Sequence, residues 1–371
     1  MSSETSSAPT DLATFDTTLA EQGVRGFWDM LAEYEMLEPR CPELPAVWRH
    51  ADYLPLAMES LTAVPIERAD RRNLFFTNPG LPGSGAITSR LLGGVQAINP
   101  AERQDVHRHS ASAVRVMLDG LGAFTTVEGG RNNLRYGDVV INPSGLWHES
   151  GNDGTEPIVW MDVLDLPLTK LLHANFFANK YTEDGENGIV RRTNQTLRHP
   201  DDWFSDAFAV GGVRPERLPL EPRYGSSQML YRYATTRALL DRLAADRADP
   251  YEGTQVRYVD PRTGDPVLRT LDVRAQLLGA GTGTRRKRTT AGTLYCCLEG
   301  SGTTRAGDRE LRWSARDIFV VPPWTWREHA ADSADAVLVA ISDEPALTQL
   351  GLHAVEVVTE TGDVVRERGL V

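Results

Sequence analysis

Two histidines one residue apart, His107 and His109, stand in "VHRHSASAVRVMLDG", and a third, His148, stands in "YGDVVINPSGLWHESGN". Imidazole binds Fe(II), Zn, Cu and Ni alike. Residues i and i+2 of a strand face the same side, about 6.6 Å apart. His107 and His109 can therefore converge on one ion. A His-x-His pair alone leaves two readings open, a ligand pair or a decorated turn. The same stretch carries Arg115, a charge in what otherwise reads as a buried strand.

The spacing around the histidines separates these readings. His109 is followed by three residues, Ala113, six residues and Gly120. After a gap of 16 residues come Gly137, five residues, Pro143, one residue, Gly145, two residues, His148, three residues and Asn152. This pattern resembles the two signature motifs of cupins, small β-barrels with an internal metal site. The second motif is matched at every position. The first departs at Ala113, where most cupins carry a ligand Glu. Three neutral imidazoles leave a divalent ion its full charge of +2, whereas two imidazoles and a carboxylate leave +1. Such a centre favours an anionic, bidentate substrate, and a facial triad leaves room for it and for dioxygen.

Arg115 lies two residues beyond Ala113 and faces the same way. A guanidinium inside a small barrel needs an anion. A substrate carboxylate would supply one with bidentate geometry. The alternative is a salt bridge to an acid on another strand, Asp162 or Asp165 in "WMDVLDLPL".

The elements that must position these groups follow from the hydrophobic pattern. Residues 15–40 read as a helix, with apolar residues near helical spacing, ended by Pro39, Pro42 and Pro45. Residues 46–70 read as mostly helical. From about 72, short apolar runs alternate with Gly, Pro, Asn and Asp, the rhythm of a sandwich or barrel. Residues 167–250 break that rhythm, with a helix predicted over 235–248. From 254 it returns. "AVRVMLDGLGAFTTVEGGRNNLRYGDVVINPSGLWHESGN" and "TLYCCLEGSGTTRAGDRELRWSARDIFVVPPWTWREHAAD" run in parallel, which predicts a duplicated barrel with a period near 180 residues.

The expected organisation is mainly β, a bicupin. A disordered tail and helical segment occupy 1–70, and a metal-bearing barrel 71–170. A partly helical connector spans 171–253, a second barrel 254–352 and a tail 353–371. By the same spacing, the second barrel has Lys287, Thr289, Thr293 and Arg327 where ligands would stand, so no metal site is expected there. His329 is read as a surface residue and the run Arg285–Arg288 as a solvated loop or an interface contact. Cys296 and Cys297 are read as core.

Composition narrows the function classes. A net charge of −12 argues against nucleic acid or an anionic membrane as partner. No stretch approaches the roughly 18–20 apolar residues of a spanning helix. "MSSETSSAPTDLAT" lacks the apolar core of a secretory signal, and three cysteines make no disulfide framework. A cytoplasmic location is expected.

As a set, seven stretches resemble the gentisate 1,2-dioxygenase family, with its salicylate, nitrosalicylate and 1-hydroxy-2-naphthoate relatives. They are "RRNLFFTNPGLPG", "GGVQAINPAERQDVHRHSASAVRVMLDG", "YGDVVINPSGLWHESGN", "IVWMDVLDLPL", "VRYVDPRTG", "RDIFVVPPWTW" and "ISDEPALTQLGL". The resemblance spans about 25–352. It implies a bicupin Fe(II) dioxygenase, usually tetrameric, that acts on a small hydroxylated aromatic acid. It would insert both atoms of O2 between the carboxyl- and hydroxyl-bearing ring carbons, giving a ring-opened oxo-dicarboxylate. Carried over, the iron ligands are His107, His109 and His148. Arg115 clamps the carboxylate, Arg72 (with Arg68) lines the pocket, and Gln96 and Asp162 orient ligands and oxygen. Two departures fall near the substrate ring. Ser150 stands where the family often has a second histidine, and Leu92 and Gly93, just before the pocket residue Gly94, stand where an aromatic residue is common. Two rivals remain. One is a non-catalytic bicupin that binds a small acid. The other is a zinc or manganese isomerase or hydrolase.

Overall fold

The computed structural model describes residues 11–69, 71–179, 181–185, 188–218, 220–245 and 248–368. Most of the polar start, 1–10, lies outside them. Two compact units divide the chain, one up to Arg40 and one from Cys41 onward. No described helix is long and apolar enough to cross a membrane.

In the first unit a helix runs over Leu12–Glu21, and the Asp11 carboxylate caps it by accepting from the Thr14 amide at 3.1 Å. The single helix expected over 15–40 does not form. Gly23 turns the chain into the left-handed region at φ +68°, which a right-handed helix cannot continue through. Only a 3-10 turn (Phe27–Asp29) and one helical turn (Leu31–Tyr34) follow.

In the second unit two barrels repeat one topology. The first barrel's larger sheet runs Leu230–Tyr231, Val139–Asn142, Ala113–Asp119, Ile158–Leu164, Leu92–Ile98, Asn73–Phe75. Its smaller sheet runs Phe177–Ala178, Arg103–His109, His148–Asn152, Ala123–Val127, Gly130–Asn133. The second barrel repeats both orders. Ile318–Val321, Thr293–Glu299, Ala336–Ser342 and Asp272–Leu278 lie in one sheet, and Lys287–Thr289, Arg327–Ala331, Ser301–Ala306 and Arg309–Ser314 in the other. The duplication reaches the backbone. Gly137 and Gly145 have φ of +76° and +79°, and their counterparts Arg316 and Trp324 have +70° and +54° although neither is glycine.

The inner strands of the first barrel's larger sheet are buried on both faces, which is why they read as continuous apolar runs. Along Ala113–Asp119, Val114, Val116 and Leu118 join a core shared with Val273, Leu294 and Val339 of the second barrel. Met117 faces its own barrel's interior with Trp160 and Val140. Residues 113, 115 and 117 thus share the inner face by strand alternation.

Several boundaries differ from expectation. Within 46–70, a helix spans His50–Ala63, but Ala46–Trp48 pairs with Ile318–Val321 of the second barrel. The helix predicted over 235–248 is found at Tyr233–Ala244. The stretch 353–371 is not merely a tail: Val355–Val358 pairs with Lys287–Thr289, and Val364–Arg368 extends that sheet.

Candidate metal centre

Adjacent strands of the smaller sheet carry the three histidines. His107 and His148 are paired in register, and His109 follows two residues on along the same strand. The three rings each offer one ligand nitrogen, and these atoms lie within 4.8 Å of one another. The two HxH rings and His148 are thereby brought together as expected.

The backbone fixes which nitrogen is offered. Each Nδ1 lies at hydrogen-bond distance from a carbonyl oxygen: His107 to Asp105 at 2.9 Å, His109 to Ala111 at 2.7 Å, His148 to Leu146 at 3.0 Å. A carbonyl can only accept, so each Nδ1 carries the proton and each Nε2 keeps its lone pair. Burial opposes protonation of all three. For His107, burial and then the nearby Arg71 charge bring the pKa down to about 2. Three neutral, pre-oriented nitrogen donors fit a divalent transition metal, and outer hydrogen bonds of this kind hold ligand rings in place.

The histidines open onto a cavity of about 370 Å³, a size suited to a small organic ligand. Leu92, Ala113, Arg115 and Asp162 line it. The sequence reading missed Arg71, Asn73, Phe75, Asn142 and Phe177, which also line it. Phe177 pairs in register with His109 and lies 5.4 Å from the His107 ring at 16°. The Arg71 guanidinium sits 5.2 Å over the Phe177 ring.

Four expected pocket residues lie elsewhere or act differently. Arg72 turns away from the cavity and pairs with Glu102 at 2.6 Å. Alternation explains it: Arg71, Asn73 and Phe75 share the inner face, and Arg72 and Leu74 the outer one. Arg68 is exposed near the end of the turn Ile66–Ala69. Gly94 leaves no room for a side chain; a Cβ there would meet the Leu74 carbonyl oxygen at 2.2 Å. Ser150 faces not the cavity but Arg115, accepting from its NH1 at 2.6 Å.

Arg115 is paired within the barrel and not held for a substrate carboxylate. It stands directly opposite Asp162 in register. Its Nε and NH2 donate to the Asp162 carboxylate at 2.7 and 3.3 Å, and its NH1 donates to Thr125 and Ser150. The guanidinium lies 3.9 Å over the Trp160 ring. The anion it needs is thus Asp162, the alternative left open by the sequence, so four of its five N–H donors are committed before any acid enters. Asp165 is used otherwise, accepting from the Ser112 amide at 2.7 Å. Gln96 lies off the cavity wall. It is fully buried, and its Oε1 accepts from Trp160 Nε1 at 3.2 Å.

In the second barrel Lys287, Thr289, Thr293 and Arg327 do converge on one small cavity. Glu252 enters there from the connector and bridges Lys287 Nζ at 2.9 Å and Arg327 NH2 at 2.6 Å. Among the described residues no metal-binding group forms there. His329 is not on the surface. It is 1% exposed, bonded to Thr304 and Arg327. The run 285–288 is not a solvated loop: Lys287 pairs with Glu252 and Arg288 with Glu356. Cys296 and Cys297 are core, as expected. Burial alone would raise the Glu252 pKa, but Arg327 and Lys287 hold it well below the usual range. Its contribution to stability is therefore present above the ordinary glutamate pKa and lost only as pH falls through the depressed value. Glu252→Gln is expected to destabilise the fold by about 3–5 kcal/mol, because the buried Arg327 and the partly buried Lys287 lose their anion. Urea unfolding at neutral pH measures it; an unchanged midpoint would remove the triad from the stability account.

Comparison with known proteins agrees with this architecture. Residues 94–164 match the cupin domain family. The chain is 35% identical over 339 residues to gentisate 1,2 dioxygenase 1 of Aquipseudomonas alcaligenes, covering 91% of this chain and 94% of that protein. It is 33% identical to the 5-aminosalicylate 1,2-dioxygenase of a Comamonas species, covering 93% and 90%. A variant of the salicylate 1,2-dioxygenase of Pseudoaminobacter salicylatoxidans, solved in complex with gentisate, superimposes with a TM-score of 0.84 at 26% identity, covering 95% and 97%. With two repeated barrels, a three-histidine centre in the first and relatives matched along nearly their whole length, the chain belongs to the gentisate 1,2-dioxygenase family.

Proposed function

We propose that this protein is an Fe(II)-dependent dioxygenase that opens the ring of an ortho-hydroxy aromatic acid such as gentisate or a 5-substituted salicylate. The observation that carries this reading is the donor set. Three Nε2 atoms converge with no carboxylate among them, at the wall of a cavity that also holds the Arg71 guanidinium. The centre keeps its full +2 charge, which selects an anion that chelates through carboxylate and hydroxyl. Bound Fe(II) supplies the redox route between the aromatic ring and dioxygen.

The protein's own residues supply geometry and charge. Arg71 attracts and orients the acid, taking the role first assigned to Arg115. Phe177, Phe75 and Leu92 give the ring apolar walls. Asp162 and Arg115 form a rigid ion pair that also lines the cavity, and Trp160 donates from Nε1 to Asp162 and Gln96 at 3.2 Å each. These groups position the site; none needs to carry a proton. Ring opening converts one ring C–C bond and O2 into two carbonyl carbons, one the new carboxyl group and one a ketone.

Arg71→Leu is expected to raise KM for the acid about 10- to 100-fold, the range of a charge-assisted hydrogen bond, while iron content is unchanged. Oxygen-electrode assays of iron-loaded wild type and variant against gentisate and 5-aminosalicylate test both claims. No oxygen uptake with any ortho-hydroxy acid would favour the binding-only reading. Turnover without oxygen would favour the isomerase or hydrolase.

A further inference from the structure

The polar lining of the first barrel's cavity includes Asn142. Asn142 ends the strand Val139–Asn142, is 2% exposed and lines the cavity with the three histidines. Its Oδ1 is buried and accepts no hydrogen bond among the described residues. Buried polar atoms are held without a partner only at a cost, and they mark places that a ligand or water fills.

The position of Asn142 is specific. It pairs in register with Ala113, and directly opposed residues bring their Cβ atoms to about 4.5–5.5 Å. Ala113 is where the cupin motif carries its ligand carboxylate. The Asn142 carboxamide therefore stands beside the place from which that carboxylate is missing. Among the described residues, Asn73 Oδ1 is the other unpaired amide oxygen of this cavity. Its strand lies at the edge of the sheet, with two strands between it and the strand of Ala113.

We propose that Asn142 is a positioning residue for the hydroxyl that faces the histidine centre. Its Oδ1 accepts a hydrogen bond from water in the resting protein and from the ortho-hydroxyl of the bound acid. A carboxylate at this place would also accept, but it would cancel one unit of the centre's positive charge. The carboxamide accepts and leaves that charge to the acid. The inference rests on reading the centre as one that chelates an ortho-hydroxy acid.

Anaerobic calorimetric titration of the iron-loaded protein with salicylate, and with benzoate, which lacks the hydroxyl, tests it. Wild type binds salicylate more tightly than benzoate. Asn142→Leu, apolar and of similar size, lowers salicylate affinity about tenfold, as expected for one lost hydrogen bond. Benzoate affinity, iron content and Tm stay unchanged. Equal loss for both acids, or none for either, overturns the proposal, since a plain wall residue would not sense the hydroxyl. Asn142→Asp is nearly isosteric and decides the matter if the leucine variant does not fold. It weakens both acids through its charge, and the ratio of salicylate to benzoate affinity is preserved; a collapsed ratio overturns the proposal. If wild type itself fails to prefer salicylate, the chelation reading falls, and this inference falls with it.

Discussion

Replacing His148 with alanine abolishes metal binding and, with it, turnover. His148 joins two strands in one site: it contributes the nitrogen that His107 and His109, both on Arg103–His109, cannot supply from their own strand. Without it only two donors remain, and among the described residues the cavity has no spare acid to replace the third. Asp162 lines it, but both carboxylate oxygens are bonded to Arg115. Loss of an outer hydrogen bond to a metal ligand typically weakens binding about 10- to 100-fold. Loss of the ligand itself is therefore expected to exceed about 100-fold. The ring is removed from a barrel whose backbone pairing is intact, so the far-ultraviolet circular dichroism spectrum is expected to be unchanged. Metal analysis after loading and desalting checks the prediction. Wild-type iron content in His148→Ala would mean that the ion sits elsewhere.

Replacing Arg115 with methionine is expected to destabilise the fold by about 3–5 kcal/mol, the cost of leaving a buried charge without its partner. The stranded group is Asp162, 4% exposed and bonded to Arg115 through both carboxylate oxygens. Thr125 and Ser150 lose a donor as well. Adding Asp162→Asn to Arg115→Met should recover much of the loss, because residues of one network couple strongly. Urea unfolding of the two single variants and the double variant measures that coupling. If Arg115→Met instead unfolds like wild type and loses only affinity for the acid, Arg115 is a substrate clamp after all.

The histidine centre was legible because two local rules agree on it. Strand alternation puts His107 and His109 on one face, and the Gly137–Asn152 spacing brings His148 beside them. What failed to read was decided across strands. The partner of Arg115 depends on its register with Asp162, which local pattern does not encode. Arg71 and Arg72 differ by one position just before the short edge strand Asn73–Phe75, where a slip of one residue exchanges the inner and outer faces. Phe177 and Glu252 reach their sites from a polar, turn-rich connector with no periodicity to place them. His329 looked solitary because its partners, Thr304 and Arg327, become visible only when the second barrel closes.

The central claim is that the first barrel inserts both atoms of one O2 into the ring of an ortho-hydroxy acid. Mass spectrometry of the product formed from gentisate by the iron-loaded protein under 18O2 tests it most directly, with quenching before the ketone oxygen exchanges with water. One label is expected in the new carboxyl group and one in the ketone beside the original carboxyl group. A ring-opened product with one label or none, or an intact ring after O2 is consumed, would contradict it.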